Sequence, residues 1–105
     1  MKSIRYDPDA RAEFLEAVRW YARRNVHVAL RFDQQVARAE ATIRETPQQW
    51  PLVSGVQREL DVRRRLVDGF PFAVVYLELN AEILILAVAH GKRRPGYWRQ
   101  RVPTP

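Results

Sequence analysis

Seven consecutive apolar residues, Ile83–Ala89, constrain this fold more than any other segment of the sequence. A strand that is apolar on both faces must be covered on both sides, which is typical of a strand at the centre of a sheet. Like the other apolar runs of the chain, this run is too short to cross a membrane. We therefore expect a domain built around this central strand, and no membrane association.

Two further segments are predicted to form strands beside this run. Over Leu60–Leu66, apolar residues alternate with charged ones, which is the pattern of a half-buried strand. The apolar residues are expected to face the core, so Arg63 and Arg65 should point to the opposite face. Arg64 breaks the alternation by falling on the apolar face. Phe70–Leu79 is predicted as the next strand.

Short turns are predicted to connect these strands. Asp68-Gly69 is a strong signal for a tight turn, and Asn80-Ala81 is expected to turn the chain back into the central run. At the other end of the sequence, Lys2–Tyr6 is predicted as a short first strand.

A first helix is predicted after this strand. Asp7-Pro8 indicates its start, because a carboxylate can cap free N–H groups and proline suits the first helical position. Apolar residues then recur at helical spacing, at Phe14, Val18 and Tyr21. The helix is expected to stop at Asn25 in a left-handed conformation.

A second helix is predicted from about Val28 to Glu45. An unbroken apolar stripe runs along it, formed by Ala29, Phe32, Val36, Ala39 and Ile43. Thr46-Pro47 should end the helix, because the residue before a proline disfavours helical geometry. Since only a few residues separate the two helices, they are expected to pack as an antiparallel hairpin.

These elements predict one α+β domain over residues 1–105. It consists of an N-terminal strand, a helical hairpin packed on one face of a small antiparallel sheet, and a short C-terminal tail with one helical turn over Pro95–Arg101. The face of the sheet opposite the hairpin has no predicted cover. We therefore expect a basic hollow there, lined by Arg63 and Arg65.

Arginine dominates the charge of this sequence. Eighteen Lys and Arg residues against twelve Asp and Glu residues give a net charge of +6, and only Lys2 and Lys92 are lysines. The planar guanidinium group suits phosphate and carboxylate groups. A small basic domain of this kind indicates a nucleic acid or an acidic protein as partner, unless the charge serves only to solvate the surface.

The sequence offers few groups for metal or redox chemistry. It has no cysteine, which excludes disulfides and thiolate zinc sites. Its two histidines, His27 and His90, lack the spacing of a metal-binding pair. We therefore expect no metal and no cofactor. The N-terminus lacks the apolar core of a signal peptide, which predicts a cytoplasmic protein.

The central strand delivers a cluster of polar and aromatic groups to one end of the sheet. Directly after the apolar run come His90, Lys92, Arg93, Arg94, Tyr97 and Trp98. A neutral His90 could accept the proton of a ribose 2′-hydroxyl, and Arg93 could stabilise a phosphate in the transition state. Alternatively, His90 is a strand-end residue that hydrogen-bonds the backbone and orders the tail, which is the commoner role.

The aromatic residues allow two interpretations each. Tyr97 and Trp98 could stack on a base, or they could anchor the tail on the sheet; for Trp98 anchoring is favoured. Trp20 could belong to the core of the hairpin or to a groove for a partner helix, and the core is the simpler interpretation.

Two motifs give the chain a family resemblance. Phe70-Pro71-Phe72 opens the second-last strand, and the last strand ends in His90-x-x-Arg93-x-Pro95. Together with the element order, these motifs resemble the RelE/ParE family of bacterial toxins over nearly the whole chain. The resemblance implies a growth-arresting toxin of a type II toxin–antitoxin pair, silenced by a cognate acidic antitoxin.

This family divides by mechanism. RelE-like members cut mRNA in the ribosomal A site, whereas ParE-like members poison DNA gyrase. The chain leans to the ParE-like side, because its last strand ends in His-x-x-Arg-x-Pro and the strands of the predicted open face carry no lysine. The alternatives are a RelE-like endoribonuclease and a basic binding module without toxicity.

The resemblance and the residues together give three sets of candidates. A nuclease would use His90, Arg93, Tyr97 and Arg65. Contacts with a target or with RNA would involve Arg63, Arg65, Lys92, Arg93, Arg94 and Trp98. Contacts with an antitoxin would involve Trp20, Arg63 and Arg65.

Overall fold

The computed structural model describes residues 1–54 and 60–103. Its elements are β1 (Ser3–Tyr6), α1 (Pro8–Ala22), α2 (Val26–Glu45), β2 (Val62–Leu66), β3 (Phe72–Glu78), β4 (Glu82–His90) and a 3₁₀ turn (Arg99–Arg101). The predicted α+β fold, with a helical hairpin on a small sheet, is confirmed. No helix in the described ranges is long and apolar enough to span a membrane.

The four strands form one sheet in the order β1-β4-β3-β2. β2 and β4 each run antiparallel to β3, whereas β1 runs parallel to β4, so the sheet is mixed. The apolar run lies in β4, which is flanked on both sides, and residues 83–88 are all buried. The prediction that this strand is central is confirmed.

The helical hairpin covers one face of the sheet, called here the helix-side face. The predicted stripe of α2 is buried at all five positions: Ala29, Phe32, Val36, Ala39 and Ile43. Phe14 of α1 stacks on Phe32 with the ring centroids 6.0 Å apart. Val74 and Ile85 of the sheet belong to the same core.

Capping residues fix the helix boundaries. Asp7 caps α1 as predicted, and its side chain accepts a hydrogen bond from the N–H of Asp9. The prediction for Asn25 is wrong. Asn25 is extended, with φ −163°, and its side chain accepts from the N–H of His27, so it caps the start of α2 at Val26.

A bulge interrupts β4. Val75 of β3 lies opposite Ala87 and the next residue, Tyr76, lies opposite Ile85, so Leu86 is the extra residue. Leu86 and Ala87 consequently both belong to the core on the sheet face away from the helices, called here the tail-side face. Two adjacent residues thus serve the same face, which strict alternation would forbid.

The tail-side face is not open. Trp98 of the C-terminal tail (residues 91–103) is 3% exposed and packs with Val62, Leu77, Leu84 and Leu86. The expectation of an uncovered sheet face is therefore wrong. The 3₁₀ turn of the tail is shorter than predicted.

The orientation predicted for β2 is also wrong. Arg63 lies opposite Tyr76, and Arg65 lies opposite Val74, so both arginines share the helix-side face. Val62 points to the tail-side face instead. The alternation of the sequence defines which residues of β2 share a face. It does not define which face the apolar residues occupy, and here Val62 packs against the apolar layer that Trp98 supplies on the tail-side face.

Candidate functional site

Glu13 of α1 is the centre of a hydrogen-bond network that holds the tail. Its Oε1 accepts from the Val88 N–H (3.1 Å) and from Arg101 Nη1 (3.0 Å). Its Oε2 accepts from the Tyr97 hydroxyl (2.8 Å) and from Arg101 Nη2 (3.0 Å). The side chains of Glu13 and Arg101 are each 15% exposed. This is a bidentate, largely desolvated ion pair, the strongest class of side-chain hydrogen bonding.

The network lies where a strand ends. β1 pairs with β4 as far as Ile85, whose carbonyl accepts from the Asp7 N–H at 2.9 Å. Beyond that point the Leu86 carbonyl accepts from Arg101 Nη1 at 3.0 Å, and Glu13 receives the Val88 N–H. These two side chains take over the hydrogen bonding that a longer β1 would provide.

Tyr97 lies between two guanidinium groups. Arg93 Cζ is 4.0 Å and Arg101 Cζ is 5.2 Å from its ring centroid. Burial, together with the hydrogen bond to Glu13, raises the pKa of Tyr97 well above its ordinary value. Its hydroxyl is neutral and engaged with a carboxylate, so it is not poised to give a proton to a substrate.

His90 is half-buried at the end of β4. Its Nδ1 accepts from the backbone N–H of Lys92 at 3.0 Å, and its ring meets Phe72 edge-on with the centroids 5.0 Å apart. The nitrogen that accepts carries no proton, so a neutral ring carries its proton on Nε2. These contacts agree with the interpretation of His90 as a strand-end residue that orders the tail.

Three cations after His90 are exposed: Lys92, Arg93 and Arg94. The Arg93 N–H donates to the His90 carbonyl at 3.0 Å, which forms a turn that presents this segment. No ion pair found among the described residues includes any of the three cations. They are available to an anionic partner.

Arg63 and Arg65 are bound within the molecule. Arg63 Nη1 donates to the Trp50 carbonyl at 2.8 Å, and the Arg65 guanidinium lies 4.6 Å from the Trp50 ring centroid. Arg65 also donates to Thr42 Oγ1 (3.2 Å) and pairs with Asp68 (3.2 Å). Their side chains are only 17% and 11% exposed.

The prediction of a basic hollow is therefore wrong. Arg63 and Arg65 share contacts with Trp50 at the end of α2, whereas Arg93 contacts Tyr97 beside α1. Of the four nuclease candidates, His90, Arg93 and Tyr97 line one groove, and Arg65 lies elsewhere.

One of the two tryptophans has its predicted role and the other does not. Trp98 is buried on the tail-side face, in agreement with anchoring, and has no free ring for a base, so it leaves the target-binding set. Trp20 is 46% exposed, so its assignment to the core is wrong. The Arg24 guanidinium stacks 3.5 Å from the Trp20 ring centroid and holds the indole in place.

A groove of about 460 Å³ separates α1 from the end of β4 and the tail. It is lined by Ala17, Trp20, Phe72, His90, Arg93 and Tyr97, among others. We call it the α1–tail groove. Sequence reasoning missed Glu13 and offered a groove at Trp20 only as the alternative to a core position. One feature of the sequence could have indicated Glu13. It lies one helical turn from Ala10 and from Ala17, which are both buried, so its carboxylate borders the buried stripe of α1.

The fold of this chain resembles that of a known protein. It is similar to a solved structure described as the chromosomal ParDE TA (toxin–antitoxin) system from P. aeruginosa. The TM-score is 0.70 with 19% identical residues, over 86% of this chain and 96% of that chain. At this level of identity the likeness shows the fold alone.

The sequence then gives the family. It matches the family model for the ParE toxin of the type II toxin–antitoxin system, parDE, over residues 4–95. Since that match covers most of the chain, the chain belongs to the ParE toxin family, and the RelE/ParE resemblance is confirmed on its ParE side. No curated protein matches the sequence significantly. No group of metal-binding side chains occurs in the ranges that the structure describes.

Proposed function

We propose that this chain arrests growth by inhibiting DNA gyrase in the cytoplasm, and that a cognate acidic antitoxin neutralises it. Membership of the ParE family supports the toxin role. The exposed cations Lys92, Arg93 and Arg94 supply the surface through which the toxin contacts its target.

One observation carries the choice of gyrase over mRNA. Arg65, the strand arginine that a nuclease would need at the scissile phosphate, faces α2 and is bound to Thr42 and Trp50. Phosphate-stabilising cations must converge on the reacting atoms to accelerate cleavage. Arg65 does not converge with His90 and Arg93.

A ribosome-dependent endoribonuclease is the second candidate. The observation in its favour is that His90, Arg93 and Tyr97 line the same groove. Its weakness is that His90 Nδ1 and the Tyr97 hydroxyl are both occupied by internal hydrogen bonds.

Expression of the chain alone, and with the antitoxin encoded beside it, tests the toxin role. We expect growth arrest that the antitoxin reverses. Purified protein should inhibit gyrase supercoiling in vitro, and primer extension on translated mRNA should find no new 5′ ends within codons. Such ends, with gyrase unaffected, would establish the nuclease alternative. Unchanged growth would favour a binding module without toxicity.

A matched pair of variants tests the target surface. Lys92→Glu/Arg94→Glu reverses two exposed cations of the tail and should abolish growth arrest. Arg31→Glu/Arg38→Glu makes the same change of net charge on the exposed side of α2 and should leave growth arrest intact. Equal toxicity of the two variants would show that the tail cations do not contact the target.

A further inference from the structure

Three consecutive backbone amides hold the turn that follows β4. The Gly91 N–H donates to the Pro71 carbonyl at 2.8 Å, and the Arg93 N–H donates to the His90 carbonyl at 3.0 Å. Between them, the Lys92 N–H donates to Nδ1 of the His90 ring at 3.0 Å. Of these three bonds, only the middle one has an acceptor that takes up a proton near neutral pH, since histidine is the side chain that titrates in this range.

A protonated His90 ring cannot keep this bond. In an imidazolium both ring nitrogens are donors, so an Nδ1–H group would face the donating N–H of Lys92. The loss of a hydrogen bond of this kind changes a local equilibrium by about two- to tenfold. The ring also gains a positive charge next to Lys92 and Arg93, and like charges repel.

Rotation of the ring does not restore the bond. The ring of His90 is half-buried and meets Phe72 edge-on, with the centroids 5.0 Å apart. A half-turn about the Cβ–Cγ bond keeps the plane of the ring but places a carbon atom where Nδ1 stood, so the Lys92 N–H again loses its acceptor. Because Gly91 and Lys92 are exposed, the turn is released from the ring whenever the ring is protonated.

The charges around His90 come from α1 and from the tail. The titratable and charged groups that share the groove with His90 are Glu13, Glu16, Arg93 and Tyr97, and the residues at the start of β3, Pro71 and Phe72, are uncharged. Glu13 already pairs with Arg101, so Glu16 is the carboxylate that attracts a protonated ring. Arg93 and the adjacent Lys92 repel it. Protonation therefore changes the charge beside the exposed cations as well as the support of their backbone.

The turn that His90 supports carries the cations assigned above to the target. Lys92, Arg93 and Arg94 are all exposed and follow His90 within four residues. A segment that is already ordered loses less conformational entropy when it binds than a segment that must first be fixed. The bond between the His90 ring and the Lys92 amide therefore bears on the affinity of these cations for their target.

On these grounds we infer that His90 is a positioning residue for the target-binding cations, and that its protonation weakens their contact with the target. The neutral ring holds the Lys92 amide and with it the turn, whereas the protonated ring releases both. Affinity is thus present above the pH range in which histidines titrate and is lost as the pH falls through it. The inference rests on the proposed contact between the tail cations and gyrase.

The affinity of the toxin for purified gyrase, measured at about pH 8 and about pH 5.5, tests this role. The wild type should bind about two- to tenfold more weakly at the lower pH. His90→Asn should remove this pH dependence, because its amide oxygen stands at the position of Nδ1, accepts from the Lys92 N–H and does not take up a proton. His90→Ala has no acceptor and should bind more weakly than His90→Asn at both pH values.

The second histidine of the chain provides the matched control. His27 is exposed in the first turn of α2, so His27→Asn should keep the pH profile of the wild type. Titrating groups of gyrase act on every variant alike, so the difference between the profiles isolates His90. His90→Asn and His90→Ala both lose the ring contact with Phe72, and their comparison therefore isolates the hydrogen-bond acceptor.

Amide exchange of the wild-type toxin alone, measured by NMR, tests the bond without gyrase and without a variant. Each rate is divided by the exchange rate expected for an unfolded chain at the same pH. The protection of the Lys92 amide should fall about two- to tenfold between about pH 8 and about pH 5.5. The protection of the Gly91 amide should stay constant, because its acceptor is the carbonyl of Pro71.

The outcomes separate the two proposals. If the wild type binds gyrase at neither pH, the proposed target is wrong and the inference fails with it. If the wild type binds and His90→Asn shows the same pH profile, or if His90→Ala binds as tightly as His90→Asn, only the positioning role is overturned. Constant protection of the Lys92 amide across the pH range would also overturn it.

Discussion

The arginines of β2 and the cations of the tail carry the same charge but differ in their availability. Arg63 and Arg65 are mostly buried and donate to Trp50 and Thr42. Lys92 and Arg94, by contrast, are exposed in a turn. A count of positive charges along the sequence would treat both groups as one basic surface, but only the second is free for a partner.

The availability of a charged side chain to a partner depends on what lies on each side of the sheet. β2 places its arginines beside the end of α2, where backbone carbonyls and an indole ring accept them. The tail cations extend past the end of β4, and none of the ion pairs found among the described residues includes them. Substitutions in the tail and in β2 can test whether the tail is held as the structure indicates and whether the β2 arginines are structural.

The largest effect is expected from removing the anchor of the tail. Trp98→Ala should lower the free energy of unfolding by about 3–5 kcal/mol, because it empties a buried site of aromatic size on the tail-side face. Chemical denaturation measures this loss. Trp20→Ala is the matched control, and its exposed indole should contribute much less. Equal losses would mean that the tail does not depend on Trp98.

The next effect concerns the buried acid that holds the same tail. Glu13→Gln should cost about 3 kcal/mol, because it leaves the largely buried guanidinium of Arg101 without its carboxylate. Hydrogen exchange should show faster exchange in residues 97–102. Glu16 lies one helical turn after Glu13 and is exposed, so Glu16→Gln should change neither the free energy of unfolding nor the exchange. Unchanged exchange in Glu13→Gln would contradict the proposed anchoring.

A smaller effect should separate the two groups of cations directly. Arg65→Met should destabilise the fold by about 1–2 kcal/mol through lost hydrogen bonds. Arg94→Met should change stability by less than about 0.5 kcal/mol, because its side chain is exposed. Denaturation of both variants checks the contrast. Equal destabilisation by Arg94→Met and Arg65→Met would contradict the proposed difference between the two groups of cations.

The smallest effect comes from Glu40, a partly buried acid bonded by a tyrosine. Burial raises its pKa, although the hydrogen bond from the Tyr6 hydroxyl opposes this shift. A folded-state pKa above the unfolded one means that ionisation destabilises the fold, so the penalty is absent at low pH and develops as pH rises through the unfolded and then the folded pKa.

Glu40→Gln keeps an oxygen acceptor for Tyr6 and removes the charge. The variant should melt a few degrees higher than the wild type at pH 7, and at the same temperature well below pH 4.5, the ordinary value for this carboxyl. Melting curves across that range test the sign. Glu45→Gln, exposed at the end of α2, is the control without an expected shift. Destabilisation by Glu40→Gln at neutral pH would show that the ionised form is favoured instead.

Much of the fold could be predicted because local signals agreed with one another. The stripe of α2 repeats at helical spacing with no polar interruption, and Asp7-Pro8 combines two start signals. Asn25 was misassigned because Asn suits both a helix end and a helix start. In the structure the Asn25 side chain accepts from the N–H of His27, so Asn25 starts α2 and does not end α1.

The candidate site was less predictable, because its members meet only in three dimensions. Glu13 and Arg101 are 88 residues apart and converge on a bulge that no local pattern marks. The α1–tail groove likewise combines α1 with the end of β4. His90 and the tail cations were found from sequence because they follow one strand directly.

The helical hairpin, the central strand and the density of positive charge can be derived from the sequence, since each depends on residues close together in the chain. Which charges are exposed depends on tertiary packing, because an alternating strand presents two faces and its sequence does not specify which neighbour covers each one. Here the tail brought Trp98 over one face of the sheet, and the arginines of β2 were left to the other.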